Sequence, residues 1–123
     1  MIKLFDFIGL TFYCGLIFWL SHQPALPVPM LFSHQDKLHH ATAYFIMAML
    51  TWRALRHFLR QPIWIISLSI IFCSAYGLTD EWHQSFIDGR HADIKDWVAD
   101  TFGASLALLI LYKFSLRAKK LTN

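Results

Sequence analysis

Three short stretches of this chain concentrate the residue types that move protons and hold cations. The first is Asp36-Lys37-Leu38-His39-His40, with Tyr44 following. Asp36, His40 and Tyr44 recur every four residues, so they share one face of a helix. Asp36 has a second reading as an N-cap, its carboxylate accepting from free backbone N–H groups. Tyr44 also reads as an interfacial aromatic, although it lies a full turn deeper than His40. The second stretch is Asp80-Glu81-Trp82-His83-Gln84. Adjacent carboxylates repel, so at least one of the pair needs a cation, a donor or a proton. Tyr76, Asp80 and Gln84 fall on one helix face, and Glu81 points about 100° away. A solvated helix end anchored by Trp82 accounts for one carboxylate better than for two.

The third stretch is a Gly89-Arg90 turn followed by Asp93, Asp96 and Asp100. Carboxylates near a helix N-terminus are favoured by its dipole, which gives Asp93 and Asp96 a structural reading. Asp100 lies about 6 Å further along the helix than Asp96. An ionisable group that deep in a membrane is costly and is usually functional. Asp96, Asp100, Gly103 and Ala107 share a face, and the two small residues would let another helix approach closely.

The elements that carry these stretches follow from composition. The 123 residues are 56% hydrophobic and only 15% charged, against about a quarter charged in an ordinary soluble domain. Mean hydropathy is +0.42. The charges fall in four clusters separated by long apolar runs, the pattern of a chain solvated by lipid. Four runs are long and apolar enough to cross a bilayer: Leu4 to Leu20, His39 to Leu55, Pro62 to Leu78 and Asp96 to Phe114. Pro62 suits the first turn of its helix. No run alternates with period two, and an open sheet would leave backbone groups unsatisfied in lipid. The expectation is a single all-α domain over residues 1–123, a bundle of four transmembrane helices. The first span is longer than a signal-peptide core and is followed by no small-residue cleavage site. Ser21-His22-Gln23-Pro24, with Pro27 and Pro29, reads instead as a structured loop. Cys14 and Cys73 lie inside apolar runs without CxxC spacing and read as packing residues.

Orientation follows from the lysines and arginines. With a cytoplasmic N-terminus, Lys3, Arg53, Arg56, Arg60, Lys113, Arg117, Lys119 and Lys120 all lie inside, and only Lys37, Arg90 and Lys95 lie outside. Seven of the eight acids gather outside, Asp6 being the exception. Both termini are therefore expected in the cytoplasm, with the three chemical stretches at the opposite mouth and only topogenic cations at the inner end. The basic balance, with pI ≈ 9.0, is juxtamembrane charge facing anionic lipid. No recognition motif accompanies it, so nucleic acid is not an expected partner.

At these residues the chain resembles the VanZ-like family, named for a protein linked to teicoplanin resistance. The likeness runs through a first span ending in Leu20-Ser21-His22-Gln23-Pro24 and through Asp36-Lys37-x-x-His40-x-x-x-Tyr44. It continues in Asp80-Glu81-x-x-Gln84, Gly89-Arg90, Asp96 and the pair at positions 100 and 103. Asp100 departs from the family pattern, which usually has Asn there. The resemblance implies a multi-pass protein of a bacterial inner or plasma membrane. It also implies a role at the outer face, in resistance to lipoglycopeptides or on lipid head groups.

Three functional readings stay open. As an enzyme, the chain would act on a lipid head group or a lipid-linked cell-envelope intermediate. His40 and the Asp80/Glu81 pair would then be base or nucleophile, and Arg90 or Lys37 would hold phosphate. Asp36, Tyr44, Gln84, Asp96 and Asp100 complete the candidate set. A divalent cation could use Asp80, Asp96 and Asp100, although no motif fixes a metal. As a binder, the same cup would hold an amphiphile or lipoglycopeptide among Tyr44, Trp82 and Phe86, oriented by Arg90. As an assembly subunit, it would pair Arg90 or Lys37 with the aspartates, a network that seven acids against three cations leave incomplete. Oligomeric state is not legible in the sequence.

Overall fold

A computed structural model describes residues 1–25 and 28–121 of the chain. Pro27, expected to shape the first loop, lies outside that range, as does the side chain of Lys119. Four helices make up the described residues: α1 (Ile2–Ser21), α2 (Gln35–Leu55), α3 (Pro62–Gln84) and α4 (Ile94–Leu121). Pro62 opens α3, where its missing N–H costs nothing. Each helix contains its expected span and runs past it. The extension matters most for α3, whose last turns carry Asp80, Glu81 and Gln84, and for α2, whose first turn carries Asp36 and Lys37.

Three helices, α1, α3 and α4, are long and apolar enough to cross a membrane. Their outward faces carry Phe5, Phe12, Trp64, Ile71, Phe102 and Leu109, all exposed. A soluble monomer rarely shows so much continuous apolar surface. The central helix is α2. It falls short of a membrane span by composition, because its first turns hold Gln35, Asp36, Lys37, His39 and His40. Its core side is buried at Tyr44, Met47, Ala48, Thr51 and Trp52, the three-and-four spacing of a helix packed along one stripe.

The seam between α2 and α4 is tight for a specific reason. A Cβ at Gly103 would collide with the backbone carbonyl of Ala41, so only glycine permits this crossing. Ala104 and Ala107 continue the contact, both fully buried. The small-residue face expected from the sequence is therefore the one that meets another helix. The edge helix is α1, held by two tyrosine hydroxyls that donate to backbone carbonyls: Tyr13 to Ala43 at 2.9 Å and Tyr76 to Cys14 at 2.6 Å. Both cysteines are free, and Cys73 sits in the core.

The core stripes change character at one end of the bundle. On α3 the stripe runs through Ile65, Ser69, Cys73 and Gly77 and then continues as Asp80, Glu81 and Gln84. On α4 it begins with Asp96 and Asp100 and turns apolar at Ala104 and Leu108. The ionisable residues are buried because they occupy core positions of regular helices.

Candidate functional site

The site is assembled from α2, the end of α3, the following loop and the start of α4. The ammonium of Lys37 reaches across from α2 and donates to three carboxylates: Asp36 at 2.9 Å, Asp93 at 2.8 Å and Asp96 at 2.6 Å. Lys37 and the backbone N–H of Lys95 both donate to Asp93, and its carboxyl is held below the usual carboxylate range. Asp36 is not the cap of α2. His34 takes that position, in a left-handed conformation with φ 64. Asp36 instead lies in the first turn, with its charge spent on Lys37. The loop before α2 is clamped by Gln35, whose amide oxygen accepts from the Leu31 N–H and whose NH2 donates to the Pro29 carbonyl.

One turn deeper, His40 Nδ1 lies 2.9 Å from Asp100 Oδ1. With Nδ1–H donating to that carboxylate, the lone pair is left on Nε2. Nε2 lies 3.9 Å from Asp96 Oδ2, and Glu81 Oε1 lies 3.9 Å from Nδ1, the nitrogen paired with Asp100. Glu81 Oε2 accepts from the backbone N–H of Asp93 at 2.8 Å, while Glu81 Oε1 is buried without a hydrogen-bond partner. Asp100 is wholly buried, and its Oδ2 also lacks a partner. That oxygen fits only because residue 77 has no side chain, since a Cβ at Gly77 would stand 2.9 Å from it.

Several expectations need correcting. Tyr44 is no interfacial aromatic: it is 1% exposed, and its hydroxyl is buried without a partner. It therefore forms no collar with Trp82 and Phe86, which are both exposed and pack edge to face at 5.5 Å. Arg90 does not face the carboxylates. Its guanidinium donates to the carbonyls of Gln23 at 2.9 Å and Leu20 at 3.2 Å, closing the C-terminal end of α1. The turn that aims it there has Gly89 at φ 82. Asp80 does not join Asp96 and Asp100 in a ligand set; the amide of Gln84 donates to it, at 3.4 Å. The groups whose ligand atoms lie within 4.8 Å of one another are His40, Glu81 and Asp96. A narrow cleft of about 120 Å³ leads to this region, lined by His40, Tyr44, Asp80, Gln84 and Arg90 among others.

The opposite end carries more than topogenic cations. Asp6 is buried there, with Arg53 at 2.7 Å on one oxygen and His57 at 2.7 Å on the other. Asp6 is legible in the sequence as an acid inside an apolar run, but its partners are distant along the chain and nothing local points to them. His22 and His83 also meet, at 3.1 Å, with Phe18 stacked on His83. Nothing in the local sequence of either histidine signals the other.

Helices with lipid-facing apolar surfaces around a buried cluster of carboxylates and imidazole define a helical membrane protein with an ionisable site. The chain belongs to the VanZ/LLP1 family, whose pattern it matches over residues 5–116. It is 34% identical over 93 residues to the uncharacterized protein C11E3.10 of Schizosaccharomyces pombe (strain 972 / ATCC 24843), covering 75% of this chain. The match covers 53% of that yeast protein, so this chain spans about half of its relative's length. No solved structure matches.

Proposed function

We propose that this protein is a membrane enzyme that modifies or transfers a lipid head group or a lipid-linked cell-envelope intermediate. In this reading all four helices cross the membrane. The 21 residues of α2 give about 31 Å at 1.5 Å per residue, enough for the hydrocarbon core. Its polar character is tolerable because three apolar helices shield it. Both termini lie in the cytoplasm, as the lysines and arginines favour, which turns the site outward. The setting is a bacterial inner or plasma membrane, although a fission-yeast relative means the family also has a eukaryotic member.

The observation that carries this reading is the Asp100–His40 pair, whose free imidazole nitrogen faces Asp96. A carboxylate that fixes the tautomer of a histidine leaves one basic atom aimed at the reacting group. Lys37 is held by three carboxylates, whereas Arg90 uses only two of its five N–H donors on carbonyls and lines the cleft beside His40, so it is the cation that keeps donors for a phosphate. A purely structural role fits less well. Lys37 accounts for Asp36, Asp93 and Asp96 but leaves Asp80, Glu81 and Asp100 without a lysine or arginine partner among the described residues.

The shape of the mouth supports an amphiphilic substrate. The 120 Å³ cleft beside His40 admits a small head-group moiety. Flanking the end of α3 are two more apolar clefts, of about 350 and 380 Å³, with Trp82 on the wall of both. Asp80 lines the first and Glu81 the second, so a chain lying in either would bring its head group toward the carboxylates. Those clefts also favour a second reading, a non-catalytic binder of a lipid or lipoglycopeptide. The test uses protein in nanodiscs with total bacterial lipid. Mass spectrometry compares lipids after incubation with wild type, Asp80→Asn and Asp96→Asn. A head group altered by wild type alone establishes the enzyme. Unaltered lipid, with one species retained through purification, moves the assignment to the binder.

A further inference from the structure

We propose that His40, Glu81 and Asp96 bind one divalent transition-metal ion, with Asp100 as the outer carboxylate that orients the imidazole. Catalytic use of the ion rests on the head-group reading above, with water on the ion then serving as the base in place of Nε2, whereas its binding does not. Each of the three residues offers one ligand atom, and these atoms lie within 4.8 Å of one another. Atoms held about 2.0–2.2 Å from a common ion stand about 3 to 4.4 Å apart, according to the angle between them. The 3.9 Å between His40 Nε2 and Asp96 Oδ2 is within that range and too long for a hydrogen bond.

Two further observations point to a ligand. Glu81 is 95% buried, by its 5% exposure, yet Oε1 has no partner. Its sister oxygen is fixed by the Asp93 N–H, which holds Oε1 beside the imidazole. His40 Nδ1 lies 2.9 Å from Asp100 Oδ1, and with Nδ1–H donating there the other ring nitrogen would bear the lone pair, the arrangement of metal-bound histidines. Charge points the same way. Lys37 pairs with Asp36, Asp93 and Asp96, whereas the buried Glu81 and Asp100 face only the His40 imidazole among the cationic groups of the described residues, a negative excess that a dication offsets. One imidazole with two carboxylates suits manganese or zinc better than magnesium or calcium, which prefer all-oxygen shells. His40 also lines the cleft, so positions the protein leaves open on the ion have a route to a head group.

The experiment uses the full chain in nanodiscs, stripped with a chelator and titrated with Mn2+ while free Mn2+ is followed by electron paramagnetic resonance. One ion per chain is expected, with pulsed measurements showing imidazole nitrogen coupling that disappears in His40→Gln. Glu81→Gln and Asp96→Asn should weaken binding by more than the roughly 10–100-fold expected for Asp100→Leu, which removes only the orienting carboxylate. Asp88→Asn, an exposed acid of the same loop, should bind as wild type does. Should the substituted proteins fail to fold, Mn2+ broadening of the His40 ring signal in histidine-labelled wild type reads the same contact. Absence of saturable binding, or nitrogen coupling that survives His40→Gln, overturns the proposal. Lipid turnover by the stripped protein would overturn only the catalytic use of the ion. An ion bound without turnover would leave the site standing and remove the enzyme reading.

Discussion

The two ends of the bundle each bury acids against cations, but they complete the pairing differently. At one end Asp6 has both oxygens occupied, one by Arg53 and one by His57. At the other end Lys37 satisfies three carboxylates, yet Glu81 Oε1, Asp100 Oδ2 and the Tyr44 hydroxyl remain buried without partners. Buried polar groups are normally satisfied, and an exception requires an explanation in strain, function or a missing ligand. A closed set of pairs is what a structural fastening needs. An open set, reached by a cleft, is what a reacting or binding site needs.

The largest expected effect tests that division directly. His40→Gln and Glu81→Gln should each reduce head-group turnover by about 10²–10⁴-fold, with unfolding temperature little changed. Asp6→Asn should leave turnover near wild type. Lipid mass spectrometry together with thermal unfolding in nanodiscs reads both quantities. A loss of turnover in Asp6→Asn as deep as that in His40→Gln would mean that the two ends are not separable.

The next effect concerns the seam joining the two ends. Gly103→Ala places a methyl group into the carbonyl of Ala41, and because backbone must shift rather than a side chain, the cost should reach or exceed the roughly 1–3 kcal/mol usual for overpacking. The unfolding temperature should fall, and turnover should fall only in step with the folded fraction. A Gly103→Ala protein as stable as wild type would show that α2 and α4 can separate cheaply, and the fixed distances of the site would then lose their basis.

Much of this was legible in the sequence. Apolar runs gave the four helices, and the small face of α4 gave the close crossing at Gly103. Convergence of Asp36, His40, Asp80, Glu81, Asp96 and Asp100 at one end followed from placing those runs antiparallel. Pairings across helices were not legible. Spacing along one helix could not say that Lys37 would take Asp93 and Asp96, or that Arg90 would turn away to the carbonyls of Leu20 and Gln23. Those choices depend on the axial offset and rotation of each helix, which are set by contacts such as Gly103 against Ala41. Asp6 was missed as a structural centre for the same reason, since Arg53 and His57 lie about fifty residues away in sequence.

A smaller effect belongs to the closed end. Asp6→Ala strands Arg53 and His57 and should lower the unfolding temperature by a few degrees. The loss is limited because the Arg53 side chain is 58% exposed and can find water. Asp6→Asn should lose less, because an amide oxygen still accepts from one of the two partners. If Asp6→Ala were neutral, the completeness of its pairing would carry no stability, and the comparison of the two ends would rest on the open site alone.

The smallest effect separates the rim of the open site from its interior. Asp93 is 38% exposed, and donation from Lys37 and the Lys95 N–H holds its carboxyl below the usual range. A group whose folded pKa is depressed contributes stability above its unfolded value, about 3.9, and loses it as pH falls through the folded value. The difference in unfolding temperature between wild type and Asp93→Asn should therefore be constant from about pH 7 to 5 and shrink below about 4. The substitution keeps the backbone N–H that donates to Glu81 Oε2, so it removes the charge facing Lys37 without disturbing the carboxylate beside His40. Turnover should accordingly survive it. A loss of turnover in Asp93→Asn would mean that the lysine cluster belongs to the reacting site, and the boundary between fastening and function would have to move inward to Asp96.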